Sequence, residues 1–384
     1  MQYVYNKGAM PPIDFERVRS LNDAAARLAH KIEALDIDNL PVSDWGKESV
    51  IVFRKATEET IKKYVHVLAW LLAPDANLRH EAFVDYGGGH GFLACLAKEA
   101  GFKGVVYNDI FDGCAKDAEA LSKVLGCKAD AYVCGDIAAV RRFFVGKQPA
   151  SCAVASINVI EHIYDMDEFI DVASSFSTGP MTMVLSTSAN PLNPLVRRRH
   201  FKQHREWEFT DGPHEGSYPM DTLRAFLSVR RDIVKETAPD LRDSDVDALA
   251  AATRGLRKQD IQNAVKTFQK TGRIPVQPDH PTNTCDPLTG SWQERLLNIE
   301  HVTQKLQTGG FEVKVLGGYY SGTAASPAKR AVKQLAASVL NQAISLLGPY
   351  GTRLSPCFMF QAFRPAAMKP APSHRTPELV AGRN

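Results

Sequence analysis

The stretch AFVDYGGGHGFLACLAKEAG, residues 82–101, decides how this chain is read. A short apolar run carries one acidic residue, Asp85, near its end. A glycine-dense turn follows, and an apolar-periodic segment then closes on Gly101. Strand, glycine turn and helix in this order place free helix N–H groups at the carboxyl edge of a sheet, where a ligand enters. The dinucleotide fingerprint needs Gly-x-Gly-x-x-Gly, but counting from Gly87 puts Phe92 where the third glycine belongs. A phosphate loop needs Lys followed by Ser or Thr after the turn, and neither pair is there. What remains is Asp85-x-Gly87-x-Gly89-x-Gly91.

Working outward, short apolar runs alternate with helical segments. Strands are expected at 82–86, 104–109, 129–136, 152–158 and 181–188, with helices at 91–100, 112–125, 138–145 and 165–176 between them. Strands that are apolar on both faces and alternate with helices argue for a parallel sheet covered by helices. Ahead of this block, residues 13–36 and 55–73 read as helices, the second with Ile61, Val65, Leu68 and Leu72 on one face. The alternation breaks over 189–289, which is polar and rich in Pro and His, with helices expected at 244–254 and 258–271. Ser291 and Glu294, at capping-box spacing, are read as opening a further helix before strands at 311–320 and 357–365.

The pattern around Asp85 resembles the first motif of class I S-adenosylmethionine-dependent methyltransferases, and the resemblance runs on in order. It implies a doubly wound, mostly parallel seven-stranded α/β sheet, with helical N-terminal and inserted cap segments. It also implies that Gly87, Gly89 and Gly91 let the backbone approach S-adenosylmethionine, while Asp85 helps orient its ammonium end, directly or through water. Asp109 stands 22 residues after Gly87, the interval of one helix and one strand. The resemblance gives its carboxylate the two ribose hydroxyls and lays Ile110 against the adenine. Asp136 then falls at the adenine amino group with Ile137 as apolar neighbour. INVIEHIYDMDEF, from Ile157, matches the segment after the fourth strand and adds Asn158 to the cofactor contacts. The implied division is a helical segment over 1–80 and a cofactor-binding core over 81–188, 290–322 and 356–365. A substrate-cap insertion at 189–289, an amphipathic insertion at 323–355 and a disordered tail at 366–384 complete it.

Methyl transfer to a hydroxyl needs alignment and removal of a proton, and histidine is the natural base near neutral pH. His162, just past the fourth strand, and His200, His204 and His214 in the cap are the candidates. For His162 a structural or cofactor-shaping role stands beside the catalytic one. His200 and His204 are at i, i+4 spacing, but no Glu sits between them as in a zinc helix, so no metal is expected. Residues 329–347 form an apolar stripe, Val332, Leu335, Ala336, Val339, Leu340, Ala343, Ile344 and Leu347, behind Lys329, Arg330 and Lys333. Packing over the sheet or against a second copy is favoured there over contact with a membrane surface.

Composition is that of a globular chain: 384 residues, 44% hydrophobic, 23% charged, net charge +3. So small a net charge gives no argument for nucleic acid. The seven cysteines form no CxxC pair, the first residues lack the pattern of a signal peptide, and no apolar run reaches ~18 residues. A cytoplasmic protein is expected. The function read here is S-adenosylmethionine-dependent methylation, on an oxygen, of a small molecule or a sugar- or lipid-linked precursor. The alternatives are a nicotinamide-dependent oxidoreductase and a non-catalytic cofactor-binding scaffold.

Overall fold

The computed structural model describes residues 13–75, 79–214, 222–274, 278, 280–321 and 327–366. Three helices lead: α1 (Phe15–Glu33), α2 (Asp44–Lys55) and α3 (Thr57–Leu72). The expected block follows as β1 (Ala82–Tyr86), α4 (Phe92–Glu99), β2 (Val105–Asp109), α5 (Asp112–Leu125), β3 (Ala131–Cys134), α6 (Ile137–Phe144), β4 (Cys152–Ile157), α7 (Met166–Ser174) and β5 (Met181–Thr187). The insertion holds α8 (Pro194–Phe209), α9 (Phe226–Thr237), α10 (Asp243–Ala252) and α11 (Lys258–Thr271). The chain then runs through α12 (Ile299–Thr308), β6 (Glu312–Gly317), α13 (Pro327–Leu346), a 3-10 turn at Gly348–Arg353, and β7 (Phe358–Arg364).

The seven strands form one sheet in the order β3-β2-β1-β4-β5-β7-β6. β1 to β5 are mutually parallel where they pair, whereas β7 runs antiparallel to both β5 and β6. This is the doubly wound sheet of the class I methyltransferase type. Strand order reverses beside β1, so the carboxyl ends of β1 and β4 open a crevice there. Both faces of the sheet are buried. Phe83, Val105, Tyr107, Ala153 and Ala155 pack against α1, α3, α4 and α5 on one side. Val84, Val106, Val154, Met183 and Phe360 pack against α6, α7 and α12 on the other.

Three expectations need correction. The N-terminal region carries an additional helix, α2, started by the Ser43 side chain accepting from the Gly46 N–H. Four helices, not two, lie in the 189–289 insertion among the described residues. α8 escapes a periodicity reading because its buried face is His200, His204, Trp207 and Glu208, mostly polar. α9 buries Phe226, Val229, Ile233 and Val234 at regular helical spacing, a stripe set among the polar residues that dominate the insertion. Finally, Ser291 caps nothing: α12 begins at Ile299 on the side chain of Asn298, and Glu294 has φ +45°, outside any helix. The tail assigned to 366–384 lies, beyond Ala366, outside the described residues.

The cap is built as a unit. Val229, Ile233, Val234, Val246, Leu249, Ile261 and Val265 make a small core of its own between α9, α10 and α11. Beneath it the Arg230 guanidinium, 0% exposed, donates to both oxygens of Glu208 and to the Ala250 carbonyl. The Thr284 hydroxyl donates to the same Glu208 carboxylate at 2.8 Å, tying the loop after α11 to α8. A buried charge is tolerated only when paired and hydrogen-bonded in this way.

Candidate active site

The glycine turn between β1 and α4 holds three residues in left-handed backbone, Gly87 (φ +69°), Gly89 (φ +52°) and Gly91 (φ +74°), where side chains other than glycine are strained. A Cβ at Gly87 would stand 2.4 Å from a methyl of Val159, so the turn also presses on the segment after β4. At Gly89 an added Cβ would meet nothing within 4 Å: the tip of the turn faces open space.

The neighbouring strand fixes that tip. Asp109, ending β2, accepts from the Gly89 N–H at 3.0 Å through one oxygen and from the Phe111 N–H at 3.0 Å through the other. Tyr107 donates its hydroxyl to the Gly89 carbonyl at 2.6 Å, and the Gly88 N–H reaches the Asn108 carbonyl at 2.8 Å. Burial pushes the Asp109 carboxyl up and these backbone donors pull it back. With the Ile110 N–H as a third backbone donor, the carboxylate still has acceptor capacity for a further donor. Beside it Ile110 is 61% exposed, an apolar side chain held in the open at a strand end.

Asp85 is placed differently. It is almost fully buried, and its Oδ2 accepts from the Ala94 N–H at 3.0 Å. The carboxylate therefore caps α4, whose N-cap, Gly91, has no side chain to do so. Burial raises its carboxyl to about 7. Asp136 is exposed and caps α6 by accepting from the Ala139 N–H at 3.1 Å, while Ile137 is buried in the sheet core. Asn158 has φ +55° and is exposed at the end of β4; its side-chain oxygen accepts from the Ser188 N–H, linking the ends of β4 and β5.

The histidines divide. His162 Nδ1 lies 2.7 Å from the Trp292 carbonyl, which can only accept, so Nδ1 carries a hydrogen and, in the neutral ring, Nε2 is the nitrogen with the lone pair. His204 is 0% exposed with both nitrogens engaged, Nδ1 with the Thr282 hydroxyl and Nε2 with the Glu294 carbonyl. Burial holds it down at about 4, so it is neutral and structural. His200 stacks on it with ring centroids 6.3 Å apart and meets the Gln203 amide oxygen through Nδ1. Burial likewise lowers it. His214 lies apart from these, its ring 4.8 Å from that of Trp207 and its Nε2 on the Thr210 carbonyl. Among the described residues no group of His, Cys, Asp and Glu is arranged to hold a metal.

Two residues not read as functional from the sequence lie at this edge. Glu161 is 0% exposed; its carboxylate makes no hydrogen bond of standard geometry, and the Thr187 hydroxyl is the side-chain donor beside it. Burial raises it to about 7, His162 pulls it down, and Glu294 pushes it up. Glu294, in left-handed backbone on the 291–295 strap, also keeps one oxygen buried and unpartnered. The strap is pinned to the segment after β4 by Trp292 N–H to the His162 carbonyl and Arg295 N–H to the Glu161 carbonyl, each 3.2 Å. Strained backbone and unsatisfied buried charge together mark functional sites. Trp45 of α2 is the other omission: its ring stacks on His90 of the glycine turn at 5.2 Å, and Ser43 N–H bonds Asp117 of α5 at 2.9 Å to seat the helix there. Such contacts join residues far apart in the chain, and only Glu161, beside His162 in the quoted segment, left a signal that could have been followed.

No protein-family model and no curated protein matches the chain. Solved structures similar to it include a magnesium protoporphyrin IX methyltransferase from Synechocystis with bound S-adenosylhomocysteine, at 14% identity and a TM-score of 0.34, covering 82% of this chain and 87% of that one. An S-adenosylmethionine-dependent methyltransferase from Clostridium acetobutylicum is 9% identical at a TM-score of 0.39, covering 83% and 98%. Another from Archaeoglobus fulgidus is 12% identical at 0.31, covering 74% and 86%. Likeness at this level carries no function to the chain, whose sheet order and site stand as observations of its own.

Proposed function

We propose that the chain is an S-adenosylmethionine-dependent methyltransferase acting on an oxygen of a small molecule or of a sugar- or lipid-linked precursor. The observation that carries the reading is the pinned glycine tip. Gly89 is held by Asp109 and Tyr107, faces open space, and stands beside an exposed Ile110 at the switch point of the sheet. A cofactor without phosphate fits this place, because the approach is to neutral backbone and an acidic side chain rather than to a nest of cations.

Asp109 would accept from the ribose hydroxyls with its remaining lone pairs, Ile110 would cover the adenine, and the Asn158 region would close the crevice from β4. The bound cofactor would supply an electrophilic methyl group, and the chain's own residues would position the acceptor and take its proton. His162 is the assigned base, since the Trp292 carbonyl holds the Nδ1 hydrogen and leaves Nε2 as the nitrogen that can take a proton in the neutral ring. His204 is assigned a supporting role, His200 a lining role, and His214 none in the chemistry.

The test is transfer of label from methyl-tritiated S-adenosylmethionine to polar and lipid extracts, followed by identification of the labelled bond. An oxygen-linked methyl group that disappears with His162→Gln supports the reading. Label only on nitrogen or carbon would refute the assigned acceptor atom.

A further inference from the structure

α13 sits on the protein by the side opposite to the one its sequence offers. Ala337, Asn341 and Ile344 are buried, and Asn341 is the anchor: its side chain accepts from the Tyr320 N–H at 2.8 Å and donates to the Tyr320 carbonyl at 2.9 Å. The apolar stripe, Ile344 apart, is thereby turned outward. Val332 is 70%, Leu335 70% and Val339 60% exposed, at i, i+3 and i+7 of one helix. Leu346, Leu347 and Tyr350 continue the exposed apolar surface into the 3-10 turn. Asn190 and Asn193 donate to the Thr352 and Ser355 carbonyls, and the segment they belong to adds exposed Leu192 and Leu195. Of the two roles favoured from the sequence, packing over the sheet or against a second copy, the first is met by Ile344 and not by the exposed part of the stripe.

The charge around the face selects its occupant. Between Glu312 and Glu378 the chain carries no Asp or Glu, but eight Lys and Arg. Of these Arg330, Lys333 and Arg353 are exposed on α13 and the turn after it. A second copy docked across a two-fold axis would set these cations against one another, since α13 and the turn after it carry no carboxylate of their own to meet them. Exposed Val and Leu bordered by Lys and Arg are instead the pattern of a helix lying in the surface of an anionic bilayer. No helix among the described residues is long and apolar enough to cross a membrane, so the contact would be with one leaflet.

We propose that the outer face of α13, with the 3-10 turn, docks this protein on a surface of anionic lipid. β6 runs parallel to β5 through β7, so the segment that leaves β6 toward α13 starts at the sheet edge that bears the glycine turn. This holds whether or not the methyltransferase reading does, because it rests on burial and charge alone.

The test is flotation of the full chain with phosphatidylcholine vesicles containing phosphatidylglycerol, and with pure phosphatidylcholine vesicles. Binding is expected to the first and to be weakened by salt, as each basic side chain near the surface contributes. Leu335→Asp and Val339→Asp, at sites too exposed to disturb the fold, should each cut it by about tenfold or more. Lack of binding to the anionic vesicles, equal binding to both, or no loss in the two variants overturns the proposal. So does light scattering that shows a dimer of the wild type dispersed by Leu335→Asp, which would assign the face to a second copy.

Discussion

Replacing Glu161 by Gln should make the protein more stable at pH 8 and change little at pH 4. Glu161 is fully buried with only the Thr187 hydroxyl beside it as a side-chain donor, and burial raises its carboxyl from 4.5 to about 7. A raised acid binds its proton more tightly folded than unfolded. Folding stability therefore declines as pH rises from about 4.5 to about 7, and the loss then stays constant. At about 1.36 kcal/mol per unit, the ionised side chain costs on the order of 3 kcal/mol at pH 8. Gln keeps the shape and never ionises, so most of that cost should vanish. Urea unfolding followed by tryptophan fluorescence at both pH values measures it. A shift to higher urea at pH 8 with little change at pH 4 is expected. An equal shift at both pH values would show that packing, not ionisation, is at work, and a loss of stability at pH 8 would show that the carboxylate has a partner. Glu294→Gln should produce part of the same gain, and the double variant less than the sum, because Glu294 raises Glu161.

Asp109→Ala should weaken S-adenosylhomocysteine binding by about 1.5–3 kcal/mol in calorimetry, the worth of hydrogen bonds to a charged group; unchanged affinity would remove Asp109 from the site. Gly89→Ala should cost about 1–2 kcal/mol of stability from its left-handed backbone and should also depress cofactor binding, because its methyl group points into the open tip. Gly87→Ala should destabilise more, since its Cβ also meets Val159, and thermal melts that rank the two the other way would contradict this geometry. Arg230→Met leaves Glu208 buried and unpaired and should cost about 3–5 kcal/mol, whereas Arg230→Met with Glu208→Leu should recover much of it.

The core of the fold was legible because its signals are local. A helix and a strand between Gly87 and Asp109 fix an interval, and α5 falls at 112–125 as its apolar period and Gly126 dictate. The same holds for β4, where an unbroken apolar run can only be a strand buried on both faces. What could not be read depends on contacts across the chain. Asp85, whose place before the glycines implied a role in orienting the cofactor, also caps α4 through the Ala94 N–H nine residues on, because the N-cap Gly91 has no side chain. The polar buried face of α8 has no apolar period because Thr282, Thr284 and the Glu294 carbonyl, all more than 70 residues away, satisfy it. α13 shows the converse: its stripe was plain, but one asparagine on the other side sets which way the stripe faces.

The central claim, a phosphate-free nucleoside cofactor on the pinned glycine tip, is tested most directly by calorimetric titration of the purified chain. S-adenosylmethionine and S-adenosylhomocysteine are each expected to bind one per chain, and NAD not at all. Binding of NAD with no heat from either sulfur cofactor would contradict it.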